Sequence, residues 1–241
     1  MMGRNLDVIQ SFWQGDTLSD MERMCILSYL KRGHPFHLYV YRAPRNCPSG
    51  TSLKDASEIM PEESVFIDVF GGFVNFSNLF RYMLLYRRGG WWVDMDTVCL
   101  RPFDFDVPYV FSSEQRGERF GVNTTYIKSP AGSILMKACL EFAVRRGHEF
   151  IHWGELGVSL LSRMVFRYRL QRYIQRPTVF CPVSGSCVRQ FIEAPVVDIS
   201  PETYALHWWH ELWRRNGWDQ NGAYPGSIYN SIREECLAYK D

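Results

Sequence analysis

Residues 78–96 read NLFRYMLLYRRGGWWVDMD, and the order of residue types in this stretch decides the fold. Leu79, Tyr82, Met83 and Tyr86 recur at helical spacing, which predicts a helix over 76–87. Gly89-Gly90 stops it. Trp91, Trp92 and Val93 then form a short, bulky strand that runs straight into Asp94-Met95-Asp96. In extended backbone, residues two apart point to the same side, so both carboxylates can face one cation. A bare pair of aspartates flanking one residue is usually a solvated turn. Here three buried-type residues precede the pair and place it where a strand leaves the core. In open α/β sheets, ligands bind at the C-terminal ends of strands. Hard oxygen donors favour Mg²⁺ or Mn²⁺ over soft metals. Such an ion can bridge two phosphates and offset the charge on a departing diphosphate.

Reading outward, residues 7–13 predict a first strand and residues 36–41 a second. Between them, Met21, Met24, Leu27 and Leu30 mark one side of a helix over 17–31, with Thr17 or Ser19 as its cap and Gly33 beyond its end. Strand, helix and strand at this spacing suggest a βαβ unit with parallel strands. Residues 42–57, with Pro44, Pro48 and Gly50, read as loop. Further strands are expected at 98–100, 109–113 and 122–127, and helices at 134–146 and 157–173. Late strands are expected at 178–181 and 204–208. No repeat or low-complexity tract divides the chain. The expectation is one α/β domain over 1–241, a mostly parallel central sheet flanked by helices, with helical additions near the C-terminus.

Composition narrows the function. Hydrophobic residues make up 46% of the 241, enough for a substantial core rather than a disordered chain. A formal net charge of +1 argues against a general nucleic-acid binder, which needs a basic surface. Aromatic residues reach 15%; their faces suit sugar rings and nucleobases, although core packing accounts for most of them. The seven cysteines are scattered, odd in number and without CxxC or zinc spacing, which suits free thiols in a reducing compartment. The first residues lack the pattern of a secretory signal, and no stretch reaches the roughly 18 apolar residues of a membrane span. A soluble cytoplasmic protein is expected, with peripheral association at the inner face of the membrane as an option.

Ser77, Arg81, Leu85, Gly89, Gly90, Asp94 and Asp96 together resemble the signature S-x-x-x-R-x-x-x-L-x-x-x-G-G-x-x-x-D-x-D of DXD-motif sugar transferases. Its relatives include α-1,4-galactosyltransferase-like and mannosyltransferase-like enzymes and the large glucosylating toxins. The resemblance implies the GT-A fold and metal-dependent transfer of a sugar from a UDP- or GDP-sugar donor to a glycan or glycolipid acceptor. It implies Mn²⁺ or Mg²⁺ on Asp96, with Asp94 reaching the metal directly, through water or through the donor ribose. Arg81 would reach the donor's sugar or phosphate. Asn78 stands where relatives often carry Asp, and its amide can still hydrogen-bond sugar hydroxyls.

The resemblance extends more loosely along the chain. VIQSFWQG at 8–15 resembles the family's first strand, I-x-Q-x-W, which makes Phe12, Trp13 and Gln14 candidate base contacts, with core packing as the alternative. Asn123, within Val122-Asn123-Thr124, resembles a polar residue facing the reaction site, with a solvated turn as the alternative. WGELGV at 153–158 resembles a W-G-x-x-G-P turn near the acceptor, with Val158 in place of Pro. His207 in YALHWW resembles a late histidine that completes the metal shell, with His210 second and a structural role as the alternative. Retention of anomeric configuration is also implied. The residues themselves do not single out a nucleophile or base; Glu155, Asp198 and Asp219 are nominees. Arg87-Arg88, Arg145-Arg146 and Arg214-Arg215 read as solvated helix ends, with Arg214 or Arg215 able to touch an anionic acceptor or a membrane surface. Two other functions fit the same residues: a non-catalytic nucleotide-sugar or glycan-binding module, and an effector that glycosylates proteins.

Overall fold

The computed structural model describes residues 6–197 and 199–239. Strand β1 (Ile9–Trp13), helix α1 (Asp20–Lys31) and strand β2 (Phe36–Val40) form the expected βαβ unit, with Ile9 paired to Phe36 in parallel register. Ser19 is the cap: its hydroxyl accepts from Met21 N–H, and Glu22 accepts from Ser19 N–H at 2.6 Å. This reciprocal box satisfies two amides that the first helical turn leaves free.

Strand β3 (Thr51–Asp55) corrects the reading of 42–57 as loop throughout. It pairs in parallel with β2, Phe36 opposite Thr51, at the sheet's edge. Its sequence TSLKD is polar and partly exposed, so it lacks an apolar run that would mark it, and Pro48 and Gly50 just before it read as turn.

Helix α2 (Val74–Arg88) leads into strand β4 (Gly90–Val93), followed by β5 (Thr97–Cys99), β6 (Val110–Arg116) and β7 (Arg119–Ser129). The central sheet runs β3-β2-β1-β4-β7-β6, the first four strands parallel and β7 antiparallel to both neighbours. The passage from α2 to β4 demands glycine at position 89. Its φ is +65°, and a Cβ there would lie 2.4 Å from the Ala131 backbone nitrogen.

Alternation along β4 splits the core. Trp92 joins Phe80, Leu84 and Leu85 of α2, with Leu135 and Met136 of helix α3 (Ile134–Arg146) and Leu161 of helix α4 (Leu160–Arg167). Trp91 and Val93 face the other way, toward Cys25 and Ile26 of α1 and Leu38. Helices therefore cover both faces, and the polar ends of the parallel strands are left for chemistry.

Two expectations downstream need correction. The helix over 157–173 is shorter: a wide turn at Glu155–Ser159 leads into α4, which ends at Arg167, and Arg169 has φ +56°. Residues 178–181 do not form a strand; helix α5 (Pro177–Phe180) occupies them, started by Pro177, whose ring presets helical φ. The late strand β8 (Ala205–His207) does form, but in a separate two-stranded sheet, antiparallel to β5. Helices α6 (Gln190–Glu193), α7 (His210–Asn216) and α8 (Ile228–Leu237) complete the C-terminal part. Tyr229, Ile232 and Cys236 of α8 pack with Met21, Met24 and Leu27 of α1. Among the described residues, no helix is long and apolar enough to cross a membrane.

Candidate active site

The strand β4 delivers Asp94 just beyond Val93, and the Asp94 N–H donates to Thr125 C=O at 3.0 Å. The two acids do not continue the extended strand. Met95 and Asp96 form a turn, closed by the Thr97 hydroxyl donating to Asp94 C=O at 2.9 Å. The carboxylates converge because the chain turns, not because a straight strand points them to one side.

Asp94 is held from two directions. Trp92 Nε1–H donates to its Oδ1 at 2.9 Å, and Arg81 reaches the same oxygen at 3.0 Å. Arg81 is 4% exposed, lies 4.8 Å over the Trp92 ring and donates to Thr124 C=O at 2.6 Å. The helix α2 thus carries a buried cation to the end of β4. Such a cation needs a carboxylate and carbonyls around it, because burial without partners is costly.

Asp96 is held by the other end of the chain. His207 Nε2 meets Asp96 Oδ2 at 3.1 Å, and the His210 amide donates to the same oxygen at 2.8 Å. Pairing of Thr97 with His207 across β5 and β8 sets this contact. Asp94, Asp96 and His207 each offer a ligand atom, and these atoms lie within 4.8 Å of one another.

The electrostatics follow from that crowding. Burial raises the Asp94 carboxyl above the usual carboxylate range; Arg81 opposes this and the Asp96 charge adds to it. Burial also works against ionised Asp96, but His207 and His210 outweigh it and hold its carboxyl well below the usual range. For His207 burial favours the neutral ring, yet Asp96 overrides it and holds the imidazole pKa well above its ordinary value. Two neighbouring carboxylates and an imidazole are a hard, oxygen-rich donor set with one borderline nitrogen, the chemistry that suits Mn²⁺ or Mg²⁺.

Other sequence candidates lie at varied distances from this cluster. Trp13 ends β1 and Gln14 follows it, both partly buried, and because β1 is the parallel neighbour of β4 they lie toward the sheet end that carries Asp94. Trp13 donates to Thr17 C=O at 3.2 Å. Phe12 packs among Tyr41, Phe76 and Phe80, with ring centroids 4.4 Å from Phe80. Asn78 is buried on α2, against Gly157, where a Cβ would come 3.1 Å from its amide nitrogen. Asn123 is buried on β7, its amide committed to Ser112, Cys181 and the Thr125 N–H.

The nominated bases are engaged elsewhere. Glu155 bonds Arg146 at 2.6 Å and accepts from His152 N–H at 2.9 Å, and those bonds hold its carboxyl below its ordinary value. Asp219 caps a turn by accepting from Asn221 N–H at 2.9 Å. Asp198 lies outside the described residues. Arg214 and Arg215 both bond Glu211, at 2.8 and 2.7 Å.

Sequence reasoning missed three participants. The Trp92 indole was findable, since residues two apart on a strand share a side. Trp209 adopts left-handed φ of +62° and sets its ring 4.2 Å from His207. Cys181, just beyond α5, accepts from Asn123 Nδ2 at 3.3 Å, a partner that only the tertiary fold supplies.

Residues 21–115 match the family described as "Glycosyltransferase sugar-binding region containing DXD motif". Among solved structures, the PaToxG glycosyltransferase is similar at 12% identity over 68% of this chain and 70% of that one, with a TM-score of 0.51. The apo form of the glycosyltransferase GlyE of Streptococcus pneumoniae TIGR4 is similar at 12% identity and a TM-score of 0.53. That match covers 97% of this chain and 63% of GlyE, so the chain spans less than two thirds of GlyE's length. At such identity these two likenesses speak to fold alone. A comparison with curated protein sequences finds no match. Residues 21–115, less than half of the chain, thus resemble the DXD-containing sugar-binding region of glycosyltransferases, and the α/β scaffold resembles two glycosyltransferase structures in fold.

Proposed function

We propose that this chain transfers a sugar from a nucleotide-diphosphate donor to a hydroxyl acceptor, with a divalent cation on Asp94, Asp96 and His207. The observation that carries the reading is the convergence of those three ligand atoms within 4.8 Å at the end of β4. When bound, Mn²⁺ or Mg²⁺ would offset the charge that grows on the leaving diphosphate. The chain's own residues would do the rest. Arg81 and Trp92 orient Asp94, and His207 with the His210 amide orients Asp96. Trp13 and Gln14 would take the nucleobase and Asn78 the donor sugar, as the resemblance to DXD-motif sugar transferases implies. Resemblance to DXD-motif sugar transferases favours retention of configuration, with a glycan, glycolipid or protein hydroxyl as acceptor.

A thermal-shift screen of UDP- and GDP-sugars, with and without Mn²⁺, tests this reading. A ligand that binds the native state raises its melting temperature by mass action. One donor should stabilise the protein only with the cation present, and Asp96→Ala should remove that shift and turnover together. Equal shifts with a chelator present would reject the metal role. A donor-dependent shift without turnover across glycan and protein acceptors would instead indicate a binding module.

A further inference from the structure

Residues 207–210 wrap around Asp96. Trp208 N–H donates to Asp96 C=O at 2.8 Å, His210 N–H donates to Asp96 Oδ2 at 2.8 Å, and His207 Nε2 meets the same carboxylate oxygen at 3.1 Å. The chain curls this tightly because Trp209, between the two amides, is left-handed, with φ +62° and ψ +51°. A bulky residue adopts that backbone only at a cost, and it stays there when surrounding contacts hold it. Glycine or asparagine would take the turn more easily. Trp209 also heads α7 without its side chain capping the helix. The ring therefore serves neither the turn nor the helix start.

The ring is itself anchored. Its indole N–H donates to Val183 C=O at 3.0 Å, and it lies against the backbone of Gly185, where a Cβ would come 3.6 Å from Trp209 Cε3. Anchored there, it lies against the His207 imidazole, ring centroids 4.2 Å apart and planes tilted by 39°. Among the described residues, His207 Nδ1 has no hydrogen-bond partner, so no bond on that side fixes the ring plane. The lone pair of a ligating nitrogen lies in the ring plane, so ring orientation decides whether it can meet a cation. Rotation about the Cβ–Cγ bond would swing Nε2 away from Asp96, and the face of Trp209 stands in its way. We propose that Trp209, anchored on Val183 and Gly185, is the positioning residue that holds His207 toward the cation.

The inference rests on the metal reading above and predicts more than activity. Its test is isothermal titration of Mn²⁺ alone into the full chain, with thermal melts to establish that each variant is folded at the titration temperature. Support behind a metal-ligating histidine is worth about 10–100-fold in metal affinity. Trp209→Gly suits the left-handed turn and removes the ring, so it should bind Mn²⁺ about tenfold more weakly than wild type. Trp209→Leu, which fills space without a flat face, should bind as weakly and covers the case in which the glycine variant fails to fold. Trp209→Phe, which keeps a stacking face and loses the bond to Val183, should stay within about threefold of wild type. In a His207→Ala background, Trp209→Leu should have no further effect. Wild-type affinity in both the glycine and leucine variants would overturn the positioning role. So would a phenylalanine variant no better than leucine, or a loss that persists without His207. If His207→Ala itself binds Mn²⁺ as wild type does, or wild type does not bind it, the metal reading fails first and the role of Trp209 with it.

Discussion

Trp92 donates its indole N–H to the Asp94 carboxylate two residues further on, at 2.9 Å. The bond joins the core to the chemistry: the same ring packs under Arg81, whose guanidinium grips the same carboxylate oxygen. Asp94 is therefore oriented by the hydrophobic packing that stabilises β4, and its position is as rigid as that packing.

Arg81→Ala should be expensive. It leaves a desolvated carboxylate without its cation, and breaking a buried pair from one side costs about 3–5 kcal/mol. For a chain of this size each kcal/mol moves the melting temperature by about 2–4 °C, so a fall of about 6–20 °C is expected. A melt within two or three degrees of wild type would mean that the pair contributes little (about 1 kcal/mol).

Gly89→Ala should destabilise the fold even though it adds one methyl group. The residue is left-handed and its Cβ would strike the Ala131 backbone. Strain of this kind costs about 1–3 kcal/mol before any backbone shift. Urea unfolding should show a lower midpoint with an unchanged slope. An unchanged midpoint would show that the α2–β4 junction tolerates a side chain.

His34 should make stability fall as the solution becomes acidic. Its Nδ1 faces Asp7 C=O at 2.8 Å and its Nε2 accepts from Phe103 N–H at 2.9 Å, an arrangement that requires the neutral ring. Burial is the main cause that holds its pKa below the ordinary value. The unfolded chain thus takes up the proton first, and stability is lost as pH falls from the unfolded value of about 6.5 toward the lower folded one. Chemical denaturation between pH 7.5 and 5.5 checks this; His34→Gln should flatten the dependence, and an equally steep curve in that variant would assign it elsewhere.

Glu155→Gln should keep turnover close to wild type. The carboxylate is spent on Arg146 and the His152 amide at the mouth of the wide turn. A general base contributes about 10²–10⁴-fold to rate. Steady-state kinetics with the best donor and acceptor therefore separates the two roles, and a hundredfold loss would make Glu155 the base after all.

The sequence made the helix–glycine–strand–acid order of residues 76–96 readable, because each step has its own local signal. Period-3.6 apolar residues, paired glycines, bulky strand residues and adjacent acids need no tertiary information. The polar edge strand β3 was hidden, since its partner β2 supplies the pairing and its own side chains show no apolar alternation. The 178–181 segment read as a strand from TVFC, but Pro177 at the helix start overrode those β-favouring residues. At the site, Asp94, Asp96 and His207 were legible as donors, whereas the turn that brings the acids together depends on Thr97. The engagement of Asn123 and Glu155 was not legible, because a partner such as Cys181 or Arg146 is set only by the folded chain.

Asp96 and His207 are 111 residues apart in sequence and are brought together by a strand pair of three residues each. A cation held by Asp94, Asp96 and His207 would therefore tie its own binding to the docking of the tail. Its binding would slow the rate at which β8 and the helices after it peel away. Backbone amides of residues 205–207 should accordingly exchange hydrogen more slowly in the loaded protein than in the empty one, far from where the donor's base would sit.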